Sequence, residues 1–291
     1  MQVTQAVPSV LLLIPAYNEE RRIEPVLRDY AAFFRARYAG RFQIVVVLNG
    51  CTDDTRGVVR RVAVEFPEVQ DLEFAEPIGK GGALIEGLKL APTADLIGYV
   101  DADGATAPAA FLQLVRHCGE ADCVIGSRWL PASIVHQPQD SRRRFASRAF
   151  HAIVQLLFWM NIRDTQCGAK VMRRAAVEAI HPALRIADMA FDINLLYALK
   201  REGYRILELP TEWTDKIGSK VILGKTSLTM LLSVIRLRLV YSPFYGWLRP
   251  LRPLETWIYH KLSAPLPRRS NEPRDNAKEA MGREGKKNRV P

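Results

Sequence analysis

Between Val10 and Ile125 the chain repeats one unit: a short apolar, β-branched run, a polar turn, then a stretch with helical periodicity. Val10 to Ile14 reads as a buried strand, after which Ile23, Val26, Leu27, Tyr30, Phe33 and Phe34 share one helical face. Pro25 fits only near the start of that helix. The second unit has Phe42 to Leu48 as strand, the turn NGCTDD, and a helix from Thr55 to Phe66. A strand around Leu72 to Phe74 precedes Gly79, Lys80, Gly81 and Gly82, and a helix follows with Leu84, Ile85 and Leu88 on one side. Leu96 to Val100 is the fourth strand; it ends in DAD and leads to a helix from Pro108 to His117, and Cys123 to Ile125 is another core strand. Strands alternating with crossover helices predict an α/β fold with a mostly parallel central sheet and helices on both faces. Ligands in such sheets collect at the carboxyl ends of the strands, which here carry PAYNE, NGCTDD, GKGG and DADG.

The second half changes character. Ser127 to Ser141 reads as a loop, RRRFASR opens a helix that continues through HAIVQLLFWM, and Asp164 to Gly168 is a polar turn before Ala169 to Met172. A helix from Met189 to Arg201 precedes a strand from Arg205 to Leu209, and from Pro265 onward charge, Pro and Gly predict a disordered basic tail. The longest uncharged segment, Ala149 to Ile162, has 14 residues, against about 20 for a spanning helix. Val221 to Leu248 is apolar but interrupted by Lys225, Arg236 and Arg238. The run Val10 to Ile14 leads into Pro15 and is too short for a signal-peptide core, so a cytosolic start is expected. Four cysteines, Cys51, Cys118, Cys123 and Cys167, lack CxxC spacing and imply a reduced compartment rather than a disulfide scaffold. Forty-one Lys and Arg against thirty-one Asp and Glu give +10, which favours an anionic partner: nucleic acid, anionic lipid or a phosphorylated substrate. No zinc finger, RRM string or GxxG-centred KH unit is recognisable, which weighs against nucleic acid.

Each polar strand end admits a chemical and a structural reading. Asp101 and Asp103 are one residue apart and follow an apolar strand, so they bracket a divalent cation that also binds diphosphate, or else cap the next helix. GKGG brings backbone N–H groups and the Lys80 ammonium to an anion, or is a plain surface turn; neither the Walker spacing nor GxGxxG is present. In PAYNEE, Tyr17 can stack on a base while Asn18 or Glu19 accepts from base or ribose, or these residues cap a helix; Asp53 and Asp54 carry the same ambiguity. Arg128 and Arg163 suit phosphate with their planar forks, or pair on the surface. Cys167 reads as a packed thiol. Arg142, Arg143, Arg144 and Arg148 before HAIVQLLFWM suit phospholipid head groups with an apolar length behind them, or begin a core helix. Lys220, in a polar loop with Trp213 and Asp215, can pair with phosphate.

The strings IPAYNEE, GKGGAL, DADGAT, IGSR, RDTQCGAK, AFDINLLY and ELPTEWTDKIGSK occur in one order from Ile14 to Lys220. In combination they resemble the inverting family 2 glycosyltransferases, above all the dolichyl-phosphate β-glucosyltransferases and their prokaryotic polyprenyl-phosphate relatives. The resemblance implies a GT-A fold over residues 1–220, with a Rossmann-like nucleotide half to about 126 and an acceptor half over 127–220. An amphipathic membrane-associating segment then covers 221–264 and the tail 265–291.

Carried over position by position, Pro15, Tyr17 and Glu19 line the nucleotide pocket, with Asp53 or Asp54 toward the base and Lys80 in the GKGG turn. Asp101 and Asp103, with Ala102 between them, hold Mg2+ or Mn2+ on the donor diphosphate. Arg128, Gln166 and the rest of the QCG turn line the sugar and acceptor side, Asp192 is an acidic position near the sugar, and Lys220 with Arg163 meets an acceptor phosphate. Asn49 and Gly50 stand where the family usually has carboxylates, and an amide serves a uracil edge as well.

The implied reaction is attack of a polyprenyl or dolichyl phosphate oxygen on C1 of UDP-glucose, with inversion, by an enzyme peripheral to the cytosolic face of a membrane. An ionised phosphate needs little base assistance, so the electrostatic work falls to Asp101, Asp103 and Arg128. A hydroxyl acceptor would instead make Asp192 the leading base. Mannosyl or N-acetylglucosaminyl transfer, and a non-enzymatic protein binding anionic membrane or nucleic acid, are the alternatives.

Overall fold

The computed structural model describes residues 7–136, 141–188, 190–214 and 223–242. Lys220 and the tail 265–291 lie outside them, as do the side chains of Arg142, Arg143 and Arg144.

Each β-branched run forms its strand: β1 (Val10–Ala16), β2 (Phe42–Asn49), β3 (Val69–Phe74), β4 (Leu96–Tyr99) and β5 (Cys123–Ser127). Helices α1 (Ile23–Arg37), α2 (Thr55–Glu65), α3 (Gly79–Leu88) and α4 (Pro108–His117) connect them. In α1 the buried positions Ile23, Val26, Leu27, Tyr30, Ala31 and Phe34 follow the helical period, and Pro25 sits in the first turn, where no intrahelical N–H is lost. The GKGG string forms the first turn of α3 rather than a loop ahead of it.

Beyond Ser127 come β6 (Ile134–His136), α5 (Ser141–Phe158), β7 (Lys170–Arg173), α6 (Arg174–Ile180), α7 (Phe191–Arg201), β8 (Ile206–Pro210), β9 (Glu212–Thr214) and α8 (Leu223–Val240). Among the described residues the central sheet has seven strands in the order β3-β2-β1-β4-β7-β5-β8. All neighbours pair in parallel except β7, which runs antiparallel between β4 and β5. The expected loop over 127–141 holds β6, which pairs in parallel with β9. Three residues are too few for a period-2 signal, so the sequence gives no sign of this small sheet.

Successive β1 side chains enter opposite cores. Leu11 and Leu13 pack with α3, α6, α7 and α8, while Val10, Leu12 and Ile14 pack with α1, α2 and α4. Burial on both faces is why these strands read as continuous apolar runs. No helix among the described residues is long and apolar enough to cross a membrane.

Candidate active site

The parallel strands deliver their carboxyl ends to one edge of the sheet, where the polar turns meet. The loops after β1 and β2 are laced together. Asn18, in the left-handed region at φ 54°, accepts from the Thr52 N–H at 2.8 Å, and the Glu19 N–H donates to Thr55 Oγ1 at 2.8 Å. Glu19 holds the Arg22 fork on both carboxylate oxygens at 2.7 Å. Asp53 Oδ1 accepts from the Thr55 N–H at 3.1 Å and from its hydroxyl, which closes the turn ahead of α2, while exposed Asp54 pairs with Arg61 at 3.0 Å. Pro15 and Tyr17 are half-buried at this rim. Asn49, expected toward the base, is buried with Oδ1 accepting from the Ile78 N–H at 2.7 Å. Its carbonyl therefore fixes the turn that precedes α3.

The first turn of α3 carries Lys80, whose ammonium lies 2.5 Å from Asp101 Oδ1. Burial disfavours its charge, but Asp101, Asp192 and Asp103 outweigh it and hold Lys80 above its ordinary range. A Cβ on Gly81 would stand 2.6 Å from the Ile186 carbonyl oxygen, so only glycine lets the Lys80 turn close on the segment leading into α7. The Gly82 N–H donates to the Ala187 carbonyl at 3.1 Å across the same contact.

Asp101 is squeezed from the other side by the QCG turn, where a Cβ on Gly168 would fall 2.0 Å from Asp101 Oδ2. Asp103 accepts from the Ala105 N–H at 2.9 Å. Burial raises its carboxyl above the ordinary range, and Asp101 adds to the shift. Ala102 is buried between the two.

Two carboxylates under mutual repulsion, one already holding an ammonium, fit a divalent cation. Among the described residues no group of three or more His, Cys, Asp or Glu side chains could hold a metal. The described residues therefore offer one or two carboxylates, the ligand set with which Mg2+ sites are completed by water and substrate phosphate.

Arg128 places its fork on Asp164, with Nε at 2.7 Å and an Nη at 2.9 Å, and its backbone N–H reaches the same carboxylate at 2.9 Å. Desolvation opposes both charges; the bidentate pairing overcomes it, raising Arg128 and lowering Asp164. Glu208 accepts from the Asp164 N–H at 3.0 Å and from the Arg163 N–H at 2.8 Å, with the Arg163 side chain left exposed. The guanidinium carbon of Arg128 stands 5.3 Å over the Trp213 ring, which β9 brings in. Beside this pair, Gln166 Nε2 and Ser127 Oγ are buried with no hydrogen-bond partner among the described residues. Burial pushes the Cys167 thiol up to about 11, which keeps it a protonated, packed group.

Asp192, expected near the sugar, has a side chain only 6% exposed. Lys170 Nζ lies 2.5 Å from Asp192 Oδ1, and the Tyr99 hydroxyl donates to the same oxygen. Desolvation works against the carboxylate, yet Lys170 and Lys80 prevail and keep Asp192 below the usual range. A base for a hydroxyl acceptor must meet its proton in the cleft, so this geometry gives Asp192 a supporting place beneath the site instead.

Sequence reasoning passed over Asp164 as part of a polar turn and missed Lys170 altogether. The available signal for Lys170 was a charged residue inside an apolar strand.

The family described as Glycosyl transferase family 2 matches residues 11–180. The dolichyl-phosphate beta-glucosyltransferase of Saccharomyces cerevisiae is 29% identical over 252 residues, covering 79% of this chain and 74% of that protein. Glycosyltransferase AglD of Haloferax volcanii is 32% identical over 236 residues, which are 80% of this chain but only 37% of the archaeal protein. Among solved structures, glucosyl-3-phosphoglycerate synthase from Mycobacterium tuberculosis, in complex with Mn2+, UDP and glucosyl-3-phosphoglycerate, superposes with a TM-score of 0.58 at 17% identity. That match covers 79% of this chain and 80% of the other.

Proposed function

The chain belongs to glycosyl transferase family 2 and has the GT-A fold, and from that premise we propose that it transfers glucose from UDP-glucose to a polyprenyl or dolichyl phosphate with inversion at the anomeric carbon. The observation that carries the choice of a phosphate acceptor over a hydroxyl is the burial of Asp192 in a pair with Lys170. A phosphate monoester arrives already ionised and needs no base. Glucose and the lipid phosphate are supported by relatives named dolichyl-phosphate beta-glucosyltransferase in yeast and other eukaryotes.

In this reading residues 1–220 form the catalytic unit, with the donor over the Pro15, Tyr17 and Glu19 rim. Asp101 and Asp103 would hold Mg2+ or Mn2+, which would supply Lewis-acid stabilisation of the leaving diphosphate. Lys80 adds a positive charge at the amino end of α3, where backbone N–H groups also favour an anion. Arg128 is oriented by Asp164, which takes two of its five N–H donors. With Arg163 and Lys220 it offsets repulsion between the acceptor phosphate and the donor. The unpartnered Gln166 amide and Ser127 hydroxyl are donors that an incoming oxygen would satisfy.

Peripheral contact with an anionic membrane, on its cytosolic face, is supported by exposed Leu156, Trp159, Ile235 and Leu239 close in sequence to exposed Arg148 and Arg238.

The test is release of the nucleoside diphosphate (UDP or GDP, according to the donor) by the purified chain with and without polyprenyl phosphate, in Mg2+ and in Mn2+, comparing UDP-glucose with GDP-mannose and UDP-N-acetylglucosamine. Acceptor-stimulated, metal-dependent release from UDP-glucose is expected. Preference for another donor refutes the sugar, and release that ignores the lipid phosphate refutes the acceptor.

A further inference from the structure

Lys170 stands at the centre of the sheet, on β7 opposite Tyr99 of β4 and Ile125 of β5, with no exposed surface. Taking an ammonium out of water costs several kcal/mol, and Lys170 has two acceptors to offset it: the Cys167 carbonyl at 2.6 Å and Asp192 Oδ1 at 2.5 Å. The Tyr99 ring lies 5.4 Å from the same nitrogen. Apolar residues of similar volume serve a core as well as such a pair does, or better, so fold stability alone does not account for Lys170.

Its two acceptors lie on the backbone segments that flank Asp101. The Cys167 carbonyl belongs to the peptide that continues into Gly168, whose Cα faces Asp101 with no room for a side chain. Asp192 opens α7, and the segment leading into α7 is the one against which Gly79, Gly81 and Gly82 close, which sets the turn carrying Lys80. One ammonium thus joins the wall of Gly168 to the wall of Lys80.

We propose that Lys170 is a positioning residue for the donor's divalent-cation site: by holding the Cys167 carbonyl and the Asp192 carboxylate together it sets the gap between the Gly168 and Lys80 turns in which Asp101 is held. The proposal rests on the donor-site reading above. Supporting groups of this kind change metal affinity by about 10- to 100-fold when removed.

The experiment uses the full chain and the double variant Lys170→Met/Asp192→Asn, which removes both charges so that neither is left buried alone. Mn2+ is titrated in the presence of UDP and free Mn2+ is read by electron paramagnetic resonance, beside thermal melting and UDP affinity without metal. The double variant is expected to melt near wild type and bind UDP equally well without metal, yet hold Mn2+ about 10- to 100-fold more weakly. Lys170→Gln/Asp192→Asn, which keeps a hydrogen bond across the pair, is expected to fold and show a smaller loss. Wild-type Mn2+ affinity in either folded variant overturns the positioning role and leaves the donor-site reading intact. Failure of the unaltered chain to bind Mn2+ with UDP overturns that reading, and the proposal with it.

Discussion

Gly168→Ala isolates the closeness of the QCG turn to Asp101. A Cβ at this position would lie 2.0 Å from Asp101 Oδ2 and 2.6 Å from its Cγ. Ordinary contact begins near 3.4 Å, so the nearer oxygen must retreat by about 1.4 Å, in a region where attraction and repulsion change steeply with distance. Asp101 is 37% exposed and turns about two side-chain bonds, so the carboxylate yields before the backbone does. The fold should therefore lose about 1 kcal/mol, the typical size for a single substitution, equivalent to a melting-temperature drop of no more than about 4 °C for a protein larger than about 150 residues. The same movement separates Asp101 from Lys80, now 2.5 Å away, and shifts a proposed metal ligand. Misplacement of about 1 Å at a reacting centre costs about 100-fold, or about 2.7 kcal/mol of activation free energy. Steady-state kcat/KM for the sugar nucleotide at fixed Mn2+, beside a thermal melt, measures both quantities. A Gly168→Ala protein with wild-type kcat/KM would refute the reasoning, because a carboxylate displaced that far cannot be in use at the donor.

Asp164→Asn removes one charge from a buried bidentate pair and should cost about 3–5 kcal/mol at neutral pH. Because the folded-state pKa of Asp164 lies below its unfolded value, its contribution is present above the unfolded pKa and disappears as pH falls through the folded one. The melting gap between wild type and variant should accordingly narrow below about pH 4, and a pH-independent gap speaks against the ion pair. Leu156→Glu/Trp159→Ser should weaken cosedimentation with vesicles containing phosphatidylserine while leaving the melting temperature unchanged, since these side chains are 73% and 80% exposed; undiminished binding places the lipid contact elsewhere.

The donor side was legible because its signals are local. PAYNEE, NGCTDD, GKGG and DADG each end or follow a strand whose composition marks it, and parallel crossovers carry all such ends to one edge. What the motifs do once there was less legible. Asn49 is tied to the Ile78 N–H, 29 positions away, a partner that no spacing rule specifies. Asp53 and Glu19 are taken up by Thr55 and Arg22, two and three residues on, local contacts that compete with a ligand role. The acceptor side was harder still. Arg128 and Asp164 are 36 positions apart, and Lys170 and Asp192 are 22 apart. Both pairings depend on β7 running antiparallel between β4 and β5, and an apolar run carries no mark of its direction or of its neighbours.

By itself, then, the sequence determined the alternating strands and helices from Val10 to Ile125, the placing of helices on both faces of the sheet and the family, because alternation, helical period and turn chemistry are written within about ten consecutive residues. Only the tertiary structure decided that Lys80 lies on Asp101, that Gly168 has no room for a side chain and that Asp192 is sealed beneath the site. Those contacts arise where distant segments meet, and the position of each is set by strand register and packing rather than by anything in its own neighbourhood.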